Sequence, residues 1–297
     1  MVSHSFTAKR IADWVPRIEE IVHDCLDAMA TQGPPADLAT AFGQEIPSRV
    51  LCELIGIPEE DRKELQMRAN LAFDQTLDRG RLIDHFVGLR DWVADLVVQK
   101  RNSPDNTMFG ALVRDYGHEL TDTEITGMVA LILVAGQDST AGALNIGTLL
   151  LLRHPDQLAV VRDDPTITEQ AVEELLRYIT VTQTGLVRTA TEDLELGGEQ
   201  IKKGDYVMMS FSQANRDETV YQDANVFDVH REREPHLAFG HGIHFCLGAP
   251  LARKELAIGI PALLRRFPDL KLAIPFEEVP FREFATVYGV ESLPVTW

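Results

Sequence analysis

Length, composition and charge already restrict what this chain is. It has 297 residues, of which 45% are hydrophobic and 25% charged, the composition of a globular protein with a sizeable buried core. The formal net charge of −18 argues against nucleic acid or an anionic membrane as partner, because both are bound through Lys and Arg. Three widely spaced cysteines argue against a disulfide framework. The segment before Arg10 has no apolar signal region, so we expect a cytoplasmic protein.

Apolar residues recur at helical spacing through a first part of about residues 6–180. The predicted helices are 6–30, 44–56, 59–76, 81–101, 121–152, 155–163 and 167–180. The long helix opens with a capping box, in which Thr121 is followed three residues later by Glu124. Gln137 and Asp138 lie in its middle, where a bilayer would oppose them most strongly. We therefore interpret it as a buried helix of a soluble protein rather than a membrane span.

The sequence pattern changes at residue 181. Short β-rich segments alternate with glycine turns, an irregular stretch follows, one more helix forms, and the last 30 residues contain prolines and predict strands. These segments are 184–190, 193–197 and 205–210 (strands), 211–248 (irregular) and 247–266 (helix). We predict a single, mainly α domain over residues 1–297, with a minor β region and a glycine-rich loop in about 181–297.

The most informative stretch runs from Phe239 to Gly248, with the sequence Phe-Gly-His-Gly-Ile-His-Phe-Cys-Leu-Gly. Its glycines indicate a tightly bent loop that approaches another group closely. Cys246 stands just before a predicted helix, whose free N–H groups and dipole favour a thiolate, so it suits metal ligation. One alternative is an inert buried cysteine. Another is zinc bound by His236, His241, His244 and Cys246, although zinc sites usually repeat a close Cys or His pair.

This stretch resembles the heme-binding signature of the cytochrome P450 family, which Phe239, Gly242, Cys246 and Gly248 match in spacing. The resemblance implies the mainly α cytochrome P450 fold. It also implies heme b with the Cys246 thiolate as axial iron ligand. Further implied heme contacts are Phe239 and Gly240 of the loop, Ala135 and Gly136 of the long helix, and the propionate partners His244 and Arg188.

Glu174 and Arg177 resemble the Glu-x-x-Arg motif of the same family, and Arg231 occupies the place of an arginine that joins the pair. An i,i+3 ion pair forms easily on one helix face. By itself it would be a surface pair of little energy. The resemblance implies instead a buried cluster of all three residues, in which the arginine fork holds the carboxylate.

The centre of the long helix carries an acid and an alcohol, Asp138 and Ser139, whose burial costs free energy unless they are satisfied or used. One interpretation is that Ser139 bonds back to its own helix. The resemblance implies a catalytic acid–alcohol pair that delivers protons during oxygen activation, with Thr140 directly after it. Asp138 would connect Ser139 with solvent. The small residues Ala135 and Gly136 would let a flat ligand approach the helix backbone.

The resemblance also implies which residues line a substrate pocket. They come from the long helix, from the segment before Arg188 and from the C-terminal region: Leu131, Val134, Thr184, Leu186, Thr286 and Val287. Most are apolar, which predicts a hydrophobic substrate such as a terpenoid, a macrolide or an aromatic natural product.

Taken together, the resemblance implies a heme-thiolate monooxygenase that inserts one atom of dioxygen into a hydrophobic small molecule. Electrons would arrive singly from a ferredoxin-type or flavodoxin-type donor. An acidic donor could meet the basic residues Arg253, Lys254, Arg265 and Arg266, whose alternative role is a solvated helix face.

The resemblance begins late, and the usual N-terminal quarter of the family has no counterpart in this chain. We expect a substrate pocket open on one side, poor coupling of oxygen use to product, and exposed surface that invites association. The alternative function is a catalytically weak or inactive P450-like heme protein, or a protein-binding scaffold.

Overall fold

A computed structural model describes residues 2–72, 77–183, 185, 187–283 and 285–297, without the side chains of 69 and 70. Helices make up most of these residues, which confirms the predicted mainly α class. In chain order they are α1 (Ala8–Gln32), α2 (Glu45–Ile55), α3 (Arg62–Ala72), α4 (Arg79–Asn102), α5 (Met108–Tyr116), α6 (Asp122–Leu152), α7 (Pro155–Asp163), α8 (Thr168–Ile179), α9 (Phe211–Ala214) and α10 (Ala249–Arg266).

The β structure is short and antiparallel. Its strands are β1 (Ala36–Asp37), β2 (Arg188–Thr189), β3 (Leu194–Leu196), β4 (Glu199–Ile201), β5 (Tyr206–Val207), β6 (Lys271–Leu272) and β7 (Pro294–Thr296). One sheet has the order β1-β7-β6 and joins the two ends of the chain, while β2 pairs with β5 and β3 pairs with β4. Strands β2, β3 and β4 are mostly exposed, whereas Ala36 of β1 and Val295 of β7 belong to the hydrophobic core.

Helix α6 is the centre of that core and packs against α2, α3, α4 and α10. Its start is the predicted capping box, with both Thr121 and Glu124 engaged. Among the described residues, α6 alone is long and apolar enough to cross a membrane, yet 56% of its apolar window is buried inside the protein. That burial by neighbouring helices is what a core helix shows.

Several elements differ from the predicted ones; among them, β1, β4 and α9 were not predicted. Helix α5 was not predicted, because it follows directly on a Pro- and Asp-containing break that reads as a loop. The described part of the last 30 residues contains β6, β7, a 3-10 turn at Phe276–Glu278 and an isolated bridge between Phe281 and Val290, rather than a series of strands. Among the described residues of the predicted strand 184–190, strand pairing is limited to Arg188 and Thr189. Short apolar segments with prolines pack here without a regular partner, so their backbone remains irregular.

Candidate functional site

The loop that ends at Cys246 is closed by its own backbone. The amide of Cys246 donates to the carbonyl oxygen of Phe239 at 2.9 Å. Gly240 (φ +69°) and Gly242 (φ +77°) adopt left-handed backbone conformations, which side chains with a Cβ rarely permit. Helix α10 begins at Ala249, so the sulfur lies at the N-terminus of an 18-residue helix. The loop therefore presents one thiol at a helix terminus, where a thiolate is favoured.

Cys246 is the exposed cysteine of the three, whereas Cys25 and Cys52 are buried. Burial raises the pKa of Cys25 to about 11 and that of Cys52 to about 12. Partial burial of the sulfur also raises the pKa of Cys246, but the amides of Gly248 and Ala249 and the charge of nearby Arg253 oppose that rise. Cys246 is thus the accessible cysteine of the three, and amide donors and a nearby arginine partly offset the effect of burial on its sulfur.

Behind this loop, the structure brings Glu174, Arg177 and Arg231 together. Arg177 binds Glu174 through two hydrogen bonds of 2.6 and 2.8 Å, and both side chains are buried. Nε of Arg231 lies 3.2 Å from Oε2 of Glu174. The two groups form an ion pair, but Nε does not make a hydrogen bond. Its guanidinium donates instead to the carbonyl oxygens of Gln222, Asp223 and Val226. The cluster ties α8 to the irregular stretch, and the surface-pair interpretation does not describe it.

Asn215 belongs to the same framework. It is buried, its amide nitrogen donates to Thr180 at 2.8 Å, and its oxygen accepts from the amide of Leu237 at 2.7 Å. Arg177 also donates to the carbonyl oxygen of Asn215 at 2.6 Å. One asparagine thereby fixes the end of α8 to the segment that leads into the Cys246 loop.

The zinc alternative does not agree with this geometry. His236 is committed on both ring nitrogens, to Glu173 at 3.2 Å and to the amide of Ala238 at 3.2 Å. Among the described residues, which include all the histidines proposed as ligands, no group of three or more His, Cys, Asp or Glu side chains is arranged to hold a metal ion.

On α6, residues four apart form an open stripe made of Leu131, Ala135 and Ser139. Leu131 is 69% exposed. The Ser139 hydroxyl donates to the carbonyl oxygen of Ala135 at 2.8 Å, the local bond that one interpretation predicted. Thr140 is buried and lies off the stripe. Of the two predicted alcohols, only Ser139 is therefore on the open face of α6.

Asp138 points into the protein and pairs with Arg282 at 2.5 Å. Burial raises the pKa of the Asp138 carboxyl, and the charge and hydrogen bond of Arg282 oppose that rise. Its side chain is 0% exposed, and the side chains of Asp138 and Ser139 leave the helix about 100° apart. The proton connection from Ser139 to solvent through Asp138 stays a prediction. Oδ2 of Asp138 has no hydrogen-bond partner within the described chain. Arg282, which lies in a segment that also carries Glu277, Glu278 and Glu283, was missed by sequence reasoning.

The other residues predicted to contact heme or substrate on this side differ in their burial and packing. A Cβ on Gly136 would lie 3.1 Å from Leu51, so its small size also serves packing of α2 against α6. Val134 and Val287 are buried among protein atoms, and Thr286 is partly exposed. Thr184 and Leu186 lie outside the described residues. The substrate and heme contacts assigned to these positions remain predictions.

The residues present suit a heme. Heme needs a soft iron ligand, apolar surface for the macrocycle and donors for two carboxylates. The chain supplies the exposed thiol of Cys246, uncovered apolar side chains such as Leu131 and Phe245, and exposed Arg188 and His244. Phe239 packs beside Phe245 with ring centroids 6.3 Å apart.

Known proteins resemble this chain along its whole length. The Cytochrome P450 family model matches residues 81–273. The chain is 43% identical to cytochrome P450-SU2 of Streptomyces griseolus, covering 100% of this chain and 73% of that relative. The chain belongs to the cytochrome P450 family. Pentalenic acid synthase of Streptomyces avermitilis is 40% identical to this P450, with 100% of this chain and 74% of the relative covered.

The fold agrees equally well. The solved structure of the mycinamicin VIII C21 methyl hydroxylase of Micromonospora griseorubida matches this P450 with a TM-score of 0.94 at 35% identity, over 99% of this chain and 76% of that one. Membership in the family makes the protein a heme-thiolate monooxygenase.

Proposed function

We propose that this P450 inserts one atom of dioxygen into a hydrophobic small molecule of secondary metabolism, with heme b as its cofactor. The observation that carries the proposal is the exposed thiol of Cys246 at the N-terminus of α10, in a loop that closes on Phe239. Bound heme would supply oxygen activation, for which the thiolate provides electron density that favours O–O cleavage.

The chain's own residues would bind and orient the reactants. Cys246 would hold the cofactor from one side, and Arg188 and His244 would bind its carboxylates. The open stripe of α6 would face the reaction space, where Leu131 and Ala135 exclude water. Ser139 would pass a proton onward once its hydroxyl turns from the carbonyl oxygen of Ala135.

The proposed substrate class rests on the apolar character of that stripe and on the relatives. Pentalenic acid synthase and the mycinamicin hydroxylase are named for natural products. A terpenoid, a macrolide or an aromatic natural product would suit the same surface.

The proposed electron donor is a ferredoxin-type or flavodoxin-type protein, because the family takes up electrons one at a time. The basic residues expected to meet it are largely compensated. Arg253 pairs with Glu173, Lys254 with Glu169, and Arg266 with Asp27. Binding of the donor should therefore depend only modestly on salt.

The decisive experiment is the ferrous–CO absorption spectrum of the purified, heme-loaded chain. The parent should show the thiolate-type band, and Cys246→Ser should lose it. Cys25→Ala is the matched control, because it removes a buried sulfur from α1 and should keep the band. A band unchanged by Cys246→Ser would end the assignment of this cysteine as ligand.

A further inference from the structure

Two adjacent carboxylates on α8 hold different segments of the chain. Glu174 binds Arg177 and Arg231, as described above. Glu173 turns to the other side and binds His236 and Arg253. Neither contact of Glu173 was predicted, since its partners lie 63 and 80 residues away.

His236 connects Glu173 to the backbone at the start of the Cys246 loop. The ring of His236 is 3% exposed. Because Nδ1 accepts from the amide of Ala238 at 3.2 Å, the proton lies on Nε2, which donates to Glu173 at 3.2 Å. The backbone directly before Phe239 is thus attached to α8 through one imidazole.

Arg253 connects Glu173 to helix α10, which follows the Cys246 loop. Nε and Nη2 of Arg253 bind the two carboxylate oxygens of Glu173 at 2.6 and 2.9 Å, the two-point geometry that arginine forms best. The same guanidinium stacks over the ring of Phe239, with its carbon 4.5 Å from the centroid. One carboxylate therefore binds both ends of segment 236–253, and Cys246 lies between them.

We propose that Glu173, His236 and Arg253 are positioning residues that clamp the two ends of this segment and so fix where the Cys246 sulfur is presented. The clamp itself is a property of the protein alone. Its use in ligating heme rests on the proposed function.

The strong hydrogen bonding of Glu173 supports the clamp. Burial would raise the pKa of Glu173, but the hydrogen bonds of His236 and Arg253 outweigh it and lower the pKa to about 2. The carboxylate is therefore charged throughout the physiological range, and the clamp is always closed. Hydrogen bonds to a charged group are worth more than neutral ones.

Helix α8 also provides a matched control. Glu169, one turn earlier, pairs with Arg233 at 3.0 Å and with Lys254 at 3.3 Å, and thus bridges nearly the same two segments. Its side chain is 64% exposed. Exposed pairs contribute little, because solvent screens them and the long side chains lose entropy.

The test is hydrogen exchange on the full-length protein, compared among the parent, Glu173→Gln and Glu169→Gln. Glu173→Gln should accelerate exchange of peptides within 236–253 by about tenfold or more, since charge-assisted bonds to two partners are lost. Exchange in α1 and α4 should be unchanged, and Glu169→Gln should match the parent. Acceleration that is equal in every helix, or equal in the two variants, would overturn the clamp.

A second variant covers the case in which Glu173→Gln does not fold. Arg253→Lys keeps the charge but loses the two-point bond, and it should loosen the same segment to a smaller extent. The double variant with Glu173→Gln should be no looser than Glu173→Gln alone, because the two residues act as one unit. Additive effects in the double variant would contradict the proposal.

The role toward heme is measured separately by spectroscopy. In heme-loaded Glu173→Gln, a smaller fraction of the ferrous–CO complex should show the thiolate-type band than in Glu169→Gln. An unchanged fraction in a loosened segment would overturn the positioning role. If the parent itself lacked that band, the proposed function would fail, whereas the exchange data would still decide the clamp.

Discussion

The two sides of the candidate site differ in how their buried polar side chains are bonded. On the thiolate side, Glu173 and Glu174 accept hydrogen bonds from arginine, histidine and amide donors. On the α6 side, buried polar atoms of Gln137, Asp138 and Asn145 lack a hydrogen-bond partner within the described chain. Buried charges whose hydrogen bonds are complete make a rigid frame. Buried polar groups that lack a partner can still bind a ligand or a water molecule. The difference supports the proposal that Cys246 holds the cofactor, and the role of the α6 side in the chemistry stays a prediction.

The largest expected effect is on stability, from breaking the frame at Glu174. Glu174→Gln leaves Arg177 and Arg231 without their carboxylate, which should cost about 3–5 kcal/mol of unfolding free energy for a buried pair. Denaturant unfolding would measure it. Glu169→Gln on the same helix should cost less than about 1 kcal/mol. Equal stability of the two variants would show that the buried cluster adds nothing beyond a surface pair.

The next largest effect is expected on turnover, when a neutral amide replaces the Asp138 carboxylate of α6. Asp138→Asn should slow product formation by about 10²–10⁴-fold, the range of general acid catalysis. Because Arg282 loses its carboxylate as well, the melting temperature must be measured alongside. Arg282→Gln should reproduce part of the slowing if the pair acts together. Turnover equal to the parent in both variants would remove Asp138 from the mechanism.

A third carboxylate, that of Glu255, extends the comparison to the pH dependence of stability. Glu255 in α10 is buried, and no charge among the described residues offsets that burial, which raises the pKa of its carboxyl to about 8. The folded state then holds a proton that the unfolded state releases above its ordinary pKa of about 4.5. Stability is therefore lost as pH rises from about 4.5 to about 8, by at most about 1.4 kcal/mol per pH unit.

Glu255→Gln should remove that slope. Its melting temperature should equal the parent's below about pH 4.5 and exceed it increasingly up to pH 8. Glu199→Gln, at an exposed position in β4, should show no such divergence. Parallel melting curves for Glu255→Gln and the parent across this range would mean that Glu255 is ionised in the folded protein.

The smallest effect on the fold should come from Ser139. Its hydroxyl bonds to its own helix at 2.8 Å, so Ser139→Ala should leave stability within about 0.5 kcal/mol of the parent. Oxygen should still be consumed, but more of it should appear as peroxide and less as product. Unchanged product per electron in both Ser139→Ala and Asp138→Asn would show that no acid–alcohol relay operates.

The sequence by itself determined the features that depend on near neighbours. The period of apolar residues located the long helices, and Thr121 with Glu124 located the start of α6, because capping involves residues three apart. The spacing of glycines around Cys246 indicated the loop, since backbone conformation is a local property. The family followed from that same motif.

Tertiary structure alone decided what surrounds each of these groups. Whether Glu174 and Arg177 are a surface pair or a buried cluster depends on the stretch that folds over them, 38 to 49 residues later. The partner of Asp138 is 144 residues away. Burial, and with it the pKa and energy of a charge, is set by what packs around it from distant parts of the chain. No local pattern specifies those neighbours.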